Sequence, residues 1–178
     1  MLGLNRNNVI LSKYDPAWTQ DFEIEKKAIL DKFGDDLVAI EHIGSTAIPD
    51  MIAKPLIDFM VAIDSLDNYE RFVGPLRELG YEIRKDYRAD LQHVLFVKGP
   101  EENRTHYLKL TELDSNFWKE HIVFRDYLIA HPDVAEEYKK LKQSLFEKYA
   151  ENRTEYTKAK AGFIESVLAR ASEDGDEK

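Results

Sequence analysis

Asp58 is a carboxylate set in the middle of an apolar run, Pro55-Leu-Ile-Asp-Phe-Met-Val-Ala-Ile63. The run is apolar at both alternating sets of positions, the pattern of a central strand covered on both faces. An ionised carboxylate there is costly unless it is paired, hydrogen-bonded or bound to a metal. Its chemistry would be metal ligation or acid–base work; the structural alternative is a salt bridge, for example to Lys54 or Arg84. Upstream, Gly44-Ser45-Thr46 interrupts another apolar segment. Glycine lets the backbone turn sharply and approach a ligand closely, and the Ser45 and Thr46 hydroxyls with nearby N–H groups can hold a phosphate. Alone, the tripeptide reads equally as an ordinary turn with a helix cap. With Asp58 it forms the skeleton of a nucleotidyl-transfer site. Phosphoryl groups need N–H and hydroxyl donors plus a divalent cation, and the cation needs hard carboxylate oxygens.

The elements that must position these residues follow from periodicity and punctuation. Asp15-Pro16 opens a first helix, with Asp15 as cap and Pro16 tolerated in the first turn. Trp18, Phe22, Ile29, Leu30 and Phe33 recur at helical spacing before Gly34. Leu37–Ile43 reads as a strand ending at Gly44, and Pro55–Ile63 as the central strand. Asp64 and Ser65 cap a helix that runs to Gly80. Tyr81–Arg84, His93–Lys98 and Tyr107–Leu110 read as further strands. From Ser115 onward the pattern is helical, with His131-Pro132-Asp133 separating two helices and a last helix from about Thr154 to Ala171. This order predicts an α+β fold: a small mixed sheet with flanking helices and a C-terminal helical segment.

Composition narrows the partners. The 178 residues carry a formal net charge of -9, which repels nucleic-acid phosphates overall and disfavours broad DNA or RNA binding. No apolar run approaches the roughly 18 residues of a membrane span, so no membrane partner is expected. Residues 1–12 do not read as a secretory signal. The absence of cysteine removes disulfides and thiolate metal sites and fits a reducing, cytoplasmic location. Residues 172–178 carry no apolar side chain and read as a disordered acidic tail.

The segment Glu41-His-Ile-Gly-Ser-Thr-Ala-Ile-Pro-Asp-Met-Ile-Ala-Lys-Pro-Leu-Ile-Asp58 closely resembles the signature of the GrpB family (UPF0157), within the polymerase-β-like nucleotidyltransferase superfamily. Further blocks support the resemblance: Phe124-Arg-Asp-Tyr-Leu-Ile-Ala-His-Pro-Asp133, Glu137-Tyr-Lys-Lys-Leu-Lys142 and Glu155-Tyr-Thr-Lys-Ala-Lys160. The likeness runs from about Tyr14 to Leu168. It implies one nucleotidyltransferase-like domain over 1–171, with an αβ part at about 14–110 and a helical part at 115–171.

The resemblance also implies roles. Gly44 and Ser45 match the superfamily's phosphate-binding Gly-Ser, with Thr46 beside them. Asp58 matches the first acid of its Asp-x-Asp metal pair, for which Mg or Mn is the expected divalent cation. Met60 stands where the second acid is expected, and where a third acid belongs the chain offers His106. His42 and His106 are therefore candidates to complete the site with Asp58, as acid–base groups or, for His106, as a metal ligand; the alternative for each is a hydrogen-bonded structural role. His93, His121 and His131 read as structural. Lys54 is placed to meet a phosphate or to pair with Asp58. Arg104 and Arg125 are candidate anion contacts. Lys142, Tyr156 and Lys160 match the helical block and would line the far wall of a cleft, or else be solvated or snorkelling side chains. The implied activity is transfer of a nucleoside monophosphate from an NTP to an unknown acceptor. The alternatives are a catalytically degenerate module binding a nucleotide or a coenzyme A-like ligand, since related domains resemble an appendage of dephospho-CoA kinase, and a pure interaction protein. The nucleotide, the acceptor and the oligomeric state are not specified by these residues.

Overall fold

A computed structural model describes residues 2–4, 9–84 and 92–176. The elements in chain order are α1 (Ala17–Phe33), β1 (Ala39–Ile43), β2 (Ile57–Ile63), α2 (Glu70–Glu78), β3 (Tyr81–Ile83), β4 (His93–Lys98), β5 (His106–Glu112), α3 (Asn116–Ala130), α4 (Pro132–Tyr149), α5 (Arg153–Lys158) and α6 (Ala161–Asp176). The capping residues act as their types predict. Asp15 accepts from the Ala17 N–H at 3.0 Å, Ser65 from the Asp67 N–H at the turn before α2, and Ser115 from the Trp118 N–H at the start of α3. The strands form one sheet in the order β1-β2-β5-β4-β3. β2 and β5 run parallel, and the other neighbours are antiparallel. This is the expected α+β architecture, a mixed sheet with flanking helices.

Register decides which side chains share a face. Asp58 lies opposite Ile43 on β1 and beside Tyr107 on β5, while His42 lies opposite Phe59 and His106 beside Ile57. Because side chains alternate between faces along a strand, Asp58, Tyr107 and Lys109 project to one side, and His42 and His106 to the other. The histidine side is covered by α1 and α2. Trp18, Phe22, Ile29, Phe72 and Leu76 pack there on Phe59, Val61, Phe96 and Leu108. The Asp58 side is covered by α3, where Trp118 packs on Ile43, Met60 and Ala62.

The loop from Gly44 to Leu56 passes between sheet and helices. Its Ile48 and Met51 share a core with Leu128, Val134, Tyr138 and Val167. Two features of the C-terminal segment differ from the sequence reading. The single helix expected over Thr154–Ala171 is broken at Ala159-Lys160 into α5 and α6, which places Lys160 in the junction. The acidic tail expected to be disordered from Ser172 is instead helical to Asp176. Asp174 accepts from the Tyr127 hydroxyl at 3.1 Å and lies 3.8 Å from His131, so the last turn is held against α3. No helix among the described residues is long and apolar enough to cross a membrane.

Candidate functional site

The Gly44 turn and Asp58 are built against each other. Gly44 adopts φ 71° and ψ -172°, a region essentially confined to glycine. A Cβ added there would sit 3.2 Å from the Asp58 Cβ. The sequence thus places glycine where the backbone must both turn and pass close to the carboxylate. Ser45 and Thr46 then part company. Thr46 is buried and its hydroxyl pairs with His42 Nε2 at 2.9 Å, which commits it to the loop's interior. Ser45 is half-buried and accepts from Lys142 Nζ at 3.0 Å.

Lysines converge on this face. Lys109, two residues along β5 from Tyr107, reaches Asp58 at 3.0 Å; the side chains are 18% and 30% exposed. Lys142, only 2% exposed, enters from α4. It donates to Ser45 and to the Ile52 carbonyl and lies 4.7 Å from the centroid of the Tyr138 ring. Lys54, at the end of the loop, and Lys160, at the α5–α6 junction, both sit over the ring of Tyr156, at 4.7 and 4.9 Å from its centroid. Arg153, at the start of α5, donates to the Tyr107 hydroxyl at 3.1 Å.

Burial shapes the titration of these groups, because removing an ammonium from water favours its neutral form. It lowers Lys142 to about 6, helped by the fields of Lys160 and Lys139. It lowers Lys54 to about 7, with Lys160 and Arg153 adding to the effect and Asp58 opposing it. It lowers Lys160 to about 8, with Asp58 opposing it and Lys109 and Arg153 adding to it. Burial also pushes the Tyr138 phenol up to about 12, against a hydrogen bond from Ser45. Among the described residues, neither the Lys54 nor the Lys160 side chain makes an ion pair or hydrogen bond; each has the Tyr156 ring. Cation–π contact contributes on the order of 0.5–2 kcal/mol per ammonium. The ring attracts each ammonium without neutralising it, and burial and the field of Lys160 still lower Lys54.

The remaining predicted residues lie elsewhere. On the opposite face, His42 is stacked on Phe22 at 4.7 Å and lowered to about 4, chiefly by burial. His106 is also lowered by burial, with Glu25 opposing; its Nε2 lies 4.0 Å from the Glu25 carboxylate and has no hydrogen-bond partner. Neither histidine can share a ligand with Asp58 across the sheet. Arg125 is engaged through Nη1 by Glu41 (2.6 Å) and the His42 carbonyl (2.7 Å) and through Nε by Asp126 (2.7 Å). Arg104 is buried at the β4–β5 turn, bonded to the Gly99 carbonyl and 3.7 Å from Glu82. Asp58 pairs with neither Lys54 nor Arg84, the partners its position suggests; its partner is Lys109.

This donor set does not fit a divalent cation. Among the described residues no group of three histidine or acidic side chains is placed to hold a metal ion. Lys109 already neutralises Asp58, and the fields reaching the carboxylate from Lys54 and Lys160 are positive. Met60 is fully buried under Trp118, so an acid at that position would lie in packed core. Among the described residues, the side chains beside Asp58 do not form the donor set expected for Mg or Mn. A separate cavity of about 220 Å³ lies between Ile48–Met51 and the α3–α4 elbow and contains none of the predicted site residues.

Comparison with known proteins finds one family over most of the chain. The family model described as GrpB protein matches residues 8–170. The Glutamate-rich protein GrpB of Alkalihalophilus pseudofirmus is 38% identical over 171 residues, covering 94% of this chain and 98% of that protein. The UPF0157 protein YqkA of Bacillus subtilis is 33% identical over 166 residues, covering 93% of this chain and 48% of its own length. The crystal structure of conserved protein GrpB from Enterococcus faecalis is similar with a TM-score of 0.82 and 30% identity, covering 93% of this chain and 98% of that one.

Proposed function

The chain belongs to the GrpB family, and from that premise we propose that the face around Gly44, Ser45 and Asp58 binds a phosphate-bearing small molecule, a nucleotide or a coenzyme A-like ligand. The observation that carries this reading is the pair of half-buried lysines on Tyr156, Lys54 and Lys160, without a carboxylate partner among the described residues. In a protein of net charge -9, concentrating cations where desolvation already penalises them is unfavourable unless an anion joins them. Ser45, beside the glycine turn, adds a hydroxyl at the edge of the same cluster. Transfer of a nucleoside monophosphate asks in addition for a cation held by carboxylates, and the donors beside Asp58 do not supply that set. The reading therefore stops at binding.

A thermal-shift panel of the four NTPs and coenzyme A at low salt tests it. A ligand present at about a hundredfold over its Kd raises the midpoint by about 5–10 °C for a chain of this size. The reading is abandoned if no member of the panel moves the midpoint.

A further inference from the structure

The cluster around Tyr156 has a consequence for the form in which a ligand arrives. Enzymes that handle phosphate chains usually meet them as metal complexes, with the ion bridging phosphate oxygens and one or two protein carboxylates. The carboxylate available here, Asp58, is occupied by Lys109 at 3.0 Å. The groups whose fields reach it from the helical side, Lys160 and Lys54, are cations. Arg153 projects onto the same side through Tyr107, the β5 neighbour of Asp58. A metal–phosphate complex would bring its positive centre against these ammoniums. A bare phosphate chain would bring oxygens to them.

We propose that this site takes a di- or triphosphate chain free of divalent metal, with the Lys54 and Lys160 ammoniums supplying the neutralisation that a metal ion supplies elsewhere. The proposal rests on the phosphate-binding reading and goes beyond it. It makes Asp58 a holder of Lys109 and a negative charge facing the ligand, not a metal ligand. It also accounts for Met60, since a site that recruits no cation has no use for a second acid, and that position is free to pack under Trp118. Tyr156 keeps the two ammoniums in place while the site is empty: its ring attracts both without neutralising either.

The test is isothermal titration of the full chain with inorganic triphosphate and with ATP, first in EDTA and then in excess Mg²⁺. Binding in EDTA is expected to be at least as tight as in Mg²⁺ for both probes. Lys160→Met is expected to weaken binding about tenfold, the loss of one charge-assisted contact. Asp58→Asn is expected to tighten it about threefold, because the substitution removes a negative charge from beside the phosphates. Binding that appears only with Mg²⁺ or Mn²⁺ overturns the proposal. So does loss of binding in Asp58→Asn with its circular dichroism and melting midpoint intact. The comparison of EDTA with Mg²⁺ on the unmodified chain needs no variant to fold. If neither probe binds in either medium, the phosphate-binding reading falls, and the proposal with it; binding confined to Mg²⁺ defeats the proposal alone.

Discussion

On the α1 side of the sheet, Glu25 is 5% exposed and meets Lys98 through both carboxylate oxygens at 2.9 and 3.0 Å, with His106 at 4.0 Å. On the other side, Asp58 meets Lys109 at 3.0 Å, and beyond that pair Lys54 and Lys160 stand on Tyr156. Both regions put charge out of water, and both sit at the same end of the strands, near the first residues of β2 and β5. They differ in stoichiometry. The Glu25 group closes on itself, one acid to one lysine, with a histidine that burial keeps toward its neutral form. The Lys54–Lys160 group is left with positive charge to spare. A buried ion pair is thus a poor indicator of a working site, and it is the unmatched cations on which the binding proposal stands.

Four changes test that contrast, from the largest effect to the smallest. Glu25→Ala strands the Lys98 ammonium in a place built for a pair, and unfolding in urea is expected to show a loss of about 3 kcal/mol. Affinity for phosphate ligands is expected to stay as it was; a drop there would merge the two regions into one functional unit. Gly44→Ala forces a side chain into the glycine-only region and against the Asp58 Cβ. It is expected to cost about 2 kcal/mol by the same measurement and to weaken ligand binding as well, since the turn and Asp58 move together. Lys160→Met separates the two quantities in the opposite way. It removes a like charge from beside Lys54 and is expected to stabilise the free protein by up to about 1 kcal/mol, while ligand affinity falls. Loss of stability on this substitution would mean that Lys160 has a structural partner and no surplus exists.

The smallest effect is the dependence on pH. Lys142, Lys54 and Lys160 give up protons near 6, 7 and 8 in the folded chain, against 10.5 ordinarily. Between those values the unfolded chain binds more protons, so their contribution to stability rises with pH from about 6 upward. A bound anion reverses the preference by favouring the charged forms, so affinity is expected to be highest near pH 6 and to fall through 7 and 8. The charged and titratable groups that face these lysines are Asp58, Lys109 and Arg153, with Lys139, Tyr138 and Tyr156 from the helices. Titrations at about pH 6 and about pH 9 at constant ionic strength read the slope. An affinity that rises with pH would contradict the assignment.

Much of this was legible in the residues. The apolar run around Asp58 announces a central strand, and Gly44 announces a turn with a close approach. The caps at Asp15 and Ser115 mark where their helices begin, and Ser65 caps the turn that precedes α2. What failed was pairing. Whether His106 or Tyr107 shares a face with Asp58 depends on a parallel register between strands nearly fifty positions apart, and nothing local encodes it. Lys109 was the discoverable omission. In His106-Tyr-Leu-Lys-Leu-Thr-Glu112, the alternation of Leu108 and Leu110 with polar neighbours sets Tyr107, Lys109 and Thr111 on one face. Arg153 and the break at Lys160 carry no such signal, because packing of α5 and α6 against the rest decides them. Arg104 and Arg125 share one ambiguity: guanidinium groups suit phosphates and carboxylates alike, and each has partners within the fold.

Lys142 also bears on the order in which the molecule can be made. Its amine nitrogen holds Ser45 and Ile52, near the two ends of the loop, from 97 and 90 positions later in the chain, while Ile48 and Met51 wait for Leu128, Val134 and Val167 to cover them. During synthesis the strands β1 and β2 can meet early, being neighbours in sequence. The loop that joins them acquires its final shape only after α4 has left the ribosome. Contacts of such long range are slow to form, and until they do the glycine turn has no serine held in place behind it. The nascent chain thus carries its most specific sequence motif for much of its synthesis without the fold that gives the motif meaning.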